Sequence, residues 1–338
     1  EVQTSENLFY QFGAAAEKPG DQVLRLQRLR DRNGNWIAYR WDAAGRLINM
    51  ADNLGRLLRF EYDTKRHPHR IRAVYLEQGA GDETPGKLVQ YEYDSDGQLA
   101  TVIDRTQRIA RSFAYADGVM VRQSLPSGLE CYYDWESQAA ATGPDNTRRV
   151  LRHWTNDGEH YDVRYDVHTD GGVITGGDTQ AIDQLGRQYS WSWDARYNLT
   201  AFTDPLGRRW TMAYNANSQL LRVVNPGGDA LSFAYNEHGL PIVQTDALGR
   251  STRTMWDDRW FVPRKITLAD GSSEHYDYDE HGNNTGVVDA AGNETRYAYD
   301  HRGLLVAITD AKGGLKRLAW NAQAQLSAYT DCSGYTTR

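Results

Sequence analysis

Residues 278–304 hold Tyr278-Asp279-Glu280-His281-Gly282, then Val287-Val288, then Asp289-Ala290-Ala291-Gly292, then Tyr297-Ala298-Tyr299-Asp300-His301-Arg302-Gly303-Leu304. An aromatic followed by an acid closes a short alternating run, and a turn sequence comes next. A second run leads to an Asp-x-x-Gly turn, and 21 residues after Tyr278 the cycle starts again at Tyr299. Alternation with period two is the mark of a half-buried strand. Asp and Asn side chains accept bonds from backbone N–H groups just ahead of them, and Gly supplies the positive φ of a tight hairpin. One period therefore reads as strand, turn, strand, turn.

Outward from this stretch the same beat sets the rest of the chain. The aromatic anchors Trp193, Tyr214, Tyr235, Trp256, Tyr278, Tyr299 and Trp320 are spaced 21, 21, 21, 22, 21 and 21 residues apart. Half a period out of phase stand turns at Gly186, Asp204 with Gly207, Gly228, Asp246 with Gly249, Asp289 with Gly292, and Asp310 with Gly313. Two residues before most anchors stands another large side chain, as at Trp191, Met212, Phe233, Tyr276, Tyr297 and Leu318. The first half keeps the pattern with more noise, through the anchors Trp41, Tyr62, Tyr93 and Tyr115 and the turn glycine Gly55. Two irregular insertions are expected, at about 64–88 and 136–180. The second is marked by Gly171-Gly172 and Gly176-Gly177, which suggest bulges or a long turn. The whole of 1–338 is expected to be one array, best kept over 28–135 and 181–338.

Composition agrees with an all-β chain: 21 Tyr, 10 Trp and 7 Phe accompany 31 Gly. A net charge of -7 argues against nucleic acid as partner. The basic stretch Leu24 to Arg32 reads as an alternating strand with one wet face. Cys131 and Cys332 lie too far apart for a zinc or redox motif, and no run reaches the ~20 apolar residues of a membrane helix. Because Arg338 falls inside the strand that should carry the next anchor, the sequence is expected to be an excerpt of a longer chain.

No lone hairpin buries enough apolar surface to stand alone, so neighbours must pair. About 16 repeats at ~4.8 Å per strand give a sheet on the order of 150 Å, which strand twist obliges to curl. The fold expected is all-β, with tandem antiparallel β-hairpin repeats forming a long curled sheet.

The strings Tyr299-Asp300-His301-Arg302-Gly303-Leu304, Asp31-Arg32-Asn33-Gly34-Asn35 and Trp41-Asp42-Ala43-Ala44-Gly45-Arg46-Leu47 resemble the YD repeats of bacterial RHS proteins. The resemblance implies part of a hollow cocoon-like shell that sequesters and helps deliver a C-terminal toxin domain. The implied partners are the remainder of the same polypeptide and, through missing regions, a secretion-system spike or chaperone. The implied location is the bacterial cytoplasm before export, then secretion or delivery to target cells. Family members include type VI secretion effectors, Tc toxins and teneurins. The family's self-cleaving protease carries paired Asp-Pro-x-Gly-Leu motifs. Here Asp204-Pro205-Leu206-Gly207 runs into Arg208 and sits in register with ordinary turns, so Asp204 reads as a turn residue.

No catalytic, cofactor-binding or metal-binding residue is expected. The trio His153, His160 and His168 has gaps that match no zinc site. Asp94-Ser95-Asp96-Gly97 and Asp31 to Asn35 sit where repeat turns belong. The rival reading is a carbohydrate-binding or adhesive surface made by the aromatics, and an enzyme is the weakest of the three.

Overall fold

The computed structural model describes residues 1–4, 7–14, 23–63, 65–81, 83–137 and 148–338. Parts of the two expected insertions, including Asp82 and residues 138–147, lie outside the described residues. Thirty strands and no helix are found among the described residues, and each pairing is antiparallel between chain neighbours. Contacts cluster in two units, Glu1–Gln90 with Thr252–Arg338, and Tyr91–Ser251. Among the described residues no helix is long and apolar enough to cross a membrane.

The register of one repeat serves for most. Strand Glu294–Tyr299 pairs with Leu305–Thr309 through Arg296↔Thr309, Tyr297↔Ile308 and Ala298↔Ala307, then slips by one residue so that Tyr299 faces Leu305. Leu305–Thr309 pairs onward through only three residues, Ala307↔Arg317, Ile308↔Lys316 and Thr309↔Leu315. Within Glu294–Tyr299, Tyr297 and Tyr299 are half-buried while Arg296 and Ala298 are exposed. The alternation read from the sequence is thus the alternation of the two sheet faces.

Hardly any conventional core accompanies these strands. Among the described residues the buried hydrophobics are Ala73, Leu76, Ala80, Ala181, Ala201 and Trp260, and no large side chain is fully shielded. Apolar surface is covered mainly within the sheet, by cross-strand neighbours. In the second unit Trp191 lies 5.7 Å from Phe202, and Phe202 lies 5.5 Å from Trp210, ring centre to ring centre. Such pairs contribute roughly 0.5–1.5 kcal/mol each beyond the area they cover.

The irregular regions contain longer strands. His67–Gln78 has 12 residues, and His160–Asp170 and Val173–Asp183 have 11 each. Gly171-Gly172 makes the tight turn between the latter two, while Gly176-Gly177 lies within the second strand beside a register shift. One sequence reading is corrected. Leu24–Arg30 does not alternate cleanly, because the register slips between Gln11 and Phe12 and leaves Gln27 without a partner, reversing the faces. Its arginines lie over rings: Arg28 over Trp36 at 4.9 Å and Arg30 over Phe9 at 4.5 Å.

The first unit joins turns far apart in sequence. The amide of Asn33 donates to Asn283 Oδ1 at 3.1 Å, and Asn283 Nδ2 donates back to Asn33 Oδ1 at 2.8 Å. Asn35 Nδ2 reaches the Arg302 carbonyl at 2.9 Å, Gln323 Nε2 the Ala80 carbonyl at 2.7 Å, and Asn7 Nδ2 the Trp260 carbonyl at 2.6 Å. Gly303 makes room for this seam, since a Cβ there would stand 2.3 Å from the Asn33 amide. Replacing Asn33 and Asn283 by Ala, singly and together, should give a coupling of about 1 kcal/mol in a double-mutant cycle of urea unfolding. Strictly additive single effects would show that the two amides do not act as a pair.

Candidate functional site

What recurs through both units is a turn and the aromatic side chain beside it. In the turns, the first residue donates its N–H to the carbonyl four residues on, and the fourth donates back to the first. For Asp204 these are Asp204 N–H to Arg208 O at 3.0 Å and Gly207 N–H to Asp204 O at 2.9 Å. The carboxylate then closes the loop from inside. Asp204 Oδ1 accepts the N–H groups of Leu206 and Arg208, at 2.9 and 3.0 Å, and Oδ2 accepts Arg208 Nε at 2.6 Å. Asp246 does the same with Leu248 and Arg250, and Asp289 with Ala291 and Asn293. Asp310 takes the N–H groups of Lys312 and Gly314.

Gly55, Gly186, Gly207, Gly228, Gly249, Gly292 and Gly313 occupy the fourth position, with φ between 73° and 92°. Asp31 and Asp94 hold the same kind of turn, through Asn33 and Asn35 and through Asp96 and Gln98. The 22-residue step from Trp256 to Tyr278 has a local cause. The turn after Trp256 is one residue longer, closing from Asp257 N–H to Val262 O, and the added length seats buried Trp260.

These bonds set the carboxylates' titration. For Asp42 the N–H of Arg46 is the largest influence and holds the carboxyl below its ordinary value, with burial opposing it. Burial pushes Asp204 up. The guanidinium and N–H of Arg208 with the N–H of Leu206 outweigh it, and the carboxyl ends below its ordinary value. Asp204 is an ion-paired turn residue held in its charged form. Among the anchors, burial raises Tyr62, Tyr165 and Tyr278 above the ordinary phenol value.

Every expected anchor is the last or next-to-last residue of a strand: Trp41, Tyr62, Tyr93, Tyr115, Trp193, Tyr214, Tyr235, Trp256, Tyr278, Tyr299 and Trp320. Their spacing along the chain conceals a second, constant offset. Trp41 Nε1 donates to the carbonyl of Leu26, Tyr62 Oη to Leu47, Tyr235 Oη to Leu220, Tyr278 Oη to Pro263 and Trp320 Nε1 to Leu305, at 2.7–2.9 Å and 15 residues back each time. Trp135 and Tyr165 make the same bond, to Met120 and Val150. Sequence reasoning missed these two because it followed the 21-residue beat, which fails between 116 and 192.

The geometry explains the offset. Around Tyr278 the two strands pair through Lys265↔His275, Ile266↔Glu274 and Thr267↔Ser273 and then part. The Pro263 carbonyl, left behind, needs a donor. The ring fills the gap between the strands, and its polar tip reaches the carbonyl. Phe could do the first but not the second, and none of the seven Phe stands at an anchor.

The histidines His153, His160 and His168, whose spacing matches no zinc site, have separate surroundings. His153 lies against Tyr133, His160 Nε2 is 3.2 Å from Asp162, and His168 Nε2 lies 3.7 Å from Asp166 and 3.4 Å from Asp178. Cys131 and Cys332 are free thiols.

Tandem antiparallel hairpins with two turns and one anchor per period of about 21 residues define a β-repeat protein. Known proteins give the class its name. The RHS Repeat family model matches residues 198–230 and 278–315, and the Teneurin YD-shell model matches 25–116. Over these residues the chain carries repeats that match the RHS and YD-shell models. It is 31% identical over 188 residues to double-stranded DNA deaminase toxin A of Burkholderia cenocepacia, covering 56% of this chain and 12% of that protein. Toxin protein Tse5 of Pseudomonas aeruginosa is 30% identical over 178 residues, covering 45% of this chain and 14% of its own length. The chain therefore spans about an eighth of each relative's length. The TcdB2–TccC3–Cdc42 crystal structure aligns with 91% of this chain and 22% of its own, at 13% identity and a TM-score of 0.43.

Tyr278→Phe should lower stability by about 1–3 kcal/mol by leaving the Pro263 carbonyl without a donor. Tyr297→Phe, two residues before the anchor Tyr299 and off the anchor position, should cost under half as much in the same urea titration. Equal losses would remove the special role of the anchor hydroxyl.

Stability should also track pH in a definite direction. The lowered carboxyls of Asp42, Asp183, Asp204, Asp246 and Asp289 stabilise the fold fully above the unfolded-state value of 3.8, and that contribution is lost as pH falls through their lower folded values. The raised anchor phenols act fully below the ordinary value of 10.0, and their contribution is lost as pH climbs through the higher folded values. Urea midpoints should be level near neutrality and fall at both ends. A midpoint unchanged well below the carboxylate range would deny the turn carboxylates this part.

Proposed function

We propose that this chain is a stretch of encapsulation wall, sequestering and helping to deliver a toxin domain carried C-terminally on the same polypeptide. Residues 1–338 act in it as one array, and their part is structural and not catalytic. The wall is assembled in the bacterial cytoplasm and then secreted or delivered to target cells, with a spike or chaperone engaging other regions.

The observation that carries this reading is the seam of the first unit. Turns about 250 residues apart in sequence bind each other through side-chain amides. An array whose early and late turns are latched together suits enclosure better than an open strip. The small core among the described residues supports the same reading, because a container wall needs a sheet held within its own plane. The relatives, both toxins by name, supply the kind of cargo.

The test uses the natural polypeptide that carries the array. A domain enclosed by the wall should resist thermolysin at concentrations that digest the same domain expressed alone. Asn33→Ala with Asn283→Ala should speed its digestion several-fold while the strands stay folded by circular dichroism. Equal digestion of attached and separate domains would defeat the encapsulation reading.

A further inference from the structure

One place in the second unit breaks two of the array's rules together. Strands Val173–Asp183 and Gln188–Asp194 pair continuously from Gly176↔Asp194 to Ile182↔Gln188. No gap opens beneath the anchor Trp193, in contrast to the three-pair junctions below Trp41 and Trp320. Its indole lies instead across Gly177, the residue opposite, where a Cβ would come within 2.4 Å of the ring. Freed from filling a gap, the indole lines a cleft.

The second broken rule is at Tyr197. It holds the fourth position of the Asp194 turn, with φ at 62°, where most turns have Gly and where Gln107, Ser218 and Ala324 are among the other left-handed exceptions. A bulky residue in the left-handed region is disfavoured and marks a place where the backbone has been kept against its preference. What the strain secures is a stack: the Tyr197 ring lies 5.1 Å from Trp193 with 21° between the planes, and the residue stays 51% exposed. Nearby, the Arg149 guanidinium sits 4.9 Å from the centre of the Tyr165 ring. Its Nη1 is buried with no hydrogen-bond acceptor, while Glu136 Oε2 accepts the main-chain N–H of the same residue. These four side chains, with Thr179 and Leu199, line one cleft of ≈ 440 Å³.

We infer that this cleft binds an acidic sugar, a pyranose ring carrying a carboxylate. Arg149 is the sole charged side chain among the residues lining the cleft, and a carboxylate is the group that a guanidinium pairs with best. The π faces of Trp193 and Tyr197 carry partial negative charge, which suits the weakly positive C–H face of a saturated ring. The cleft is open on one side, so a ring can stack on one face and keep its other hydroxyls in water. The inference stands apart from the encapsulation reading, and either can fail without the other.

Calorimetric titration of the whole chain with a glucuronic-acid disaccharide tests it, with the corresponding glucose disaccharide as the neutral comparison. The acid should bind saturably and the neutral sugar about tenfold more weakly or less. Tyr197→Gly should cost about tenfold in affinity without lowering the melting temperature, since Gly relieves the backbone. Arg149→Gln should abolish the preference for the acid. Absence of saturation with the acid, equal affinity for both sugars, or undiminished binding by Tyr197→Gly would each overturn the proposal.

Discussion

The structure depends on what happens where two paired strands part. A hairpin array with tight turns at both ends cannot keep every strand paired along its whole length. Here many strands separate from their predecessors after three residue pairs, as at Thr267↔Ser273 to Lys265↔His275. The carbonyl at the point of separation would be stranded, and a stranded polar group in a half-buried place costs as much as a lost hydrogen bond. A Tyr or Trp 15 residues ahead answers both needs, filling the gap and supplying the donor. Seven such anchors tie a hairpin to the one before it, from Trp41 to Trp320.

This explains how an array with six buried hydrophobics among its described residues holds together. Stability is spread over many similar local devices: the Asp or Asn side chain inside most turns, the anchors bonded across gaps and the ring pairs across strands. In a repeat protein such terms add from neighbour to neighbour, and no central core is required. The cost is dependence on charge. A turn carboxylate that gains a proton gives up an acceptor to two N–H groups and an Arg at once, as Asp204 does with Leu206 and Arg208. The loss recurs in turn after turn.

Strand, turn and face were legible in the sequence because each arises from a residue's own chemistry. Asp-x-x-Gly marks the turn, and alternation marks the faces. The role of the anchor was not legible from the beat alone, since Tyr299 and Tyr297 look alike by hydrophobicity and strand preference. The signal was present in the exclusion of Phe from anchor positions, which distinguishes a ring with a donor from a ring without one. Trp135 and Tyr165 escaped because insertions change the distance between anchors and leave the distance to the bonded carbonyl intact. Likewise, Leu24–Arg30 reads as alternating until the unpaired Gln27 reverses its faces, and that slip is fixed by the neighbouring strand.

The long strands near residues 160–194 show the effect of relaxing this logic. Pairing there continues past the point where other strands part, so no carbonyl is stranded and Trp193 has no gap to fill. A side chain the repeat would otherwise consume lines a cleft instead, and the adjoining turn accepts an unfavourable backbone angle to place Tyr197 against it. Local sequence rules fail most informatively at such places: Gln107, Ser218 and Ala324 take the same left-handed turn position, but Tyr197 takes it with its ring stacked on an anchor. A wall made of identical courses has few positions free to take on a second task. The irregular repeat is where this chain has one.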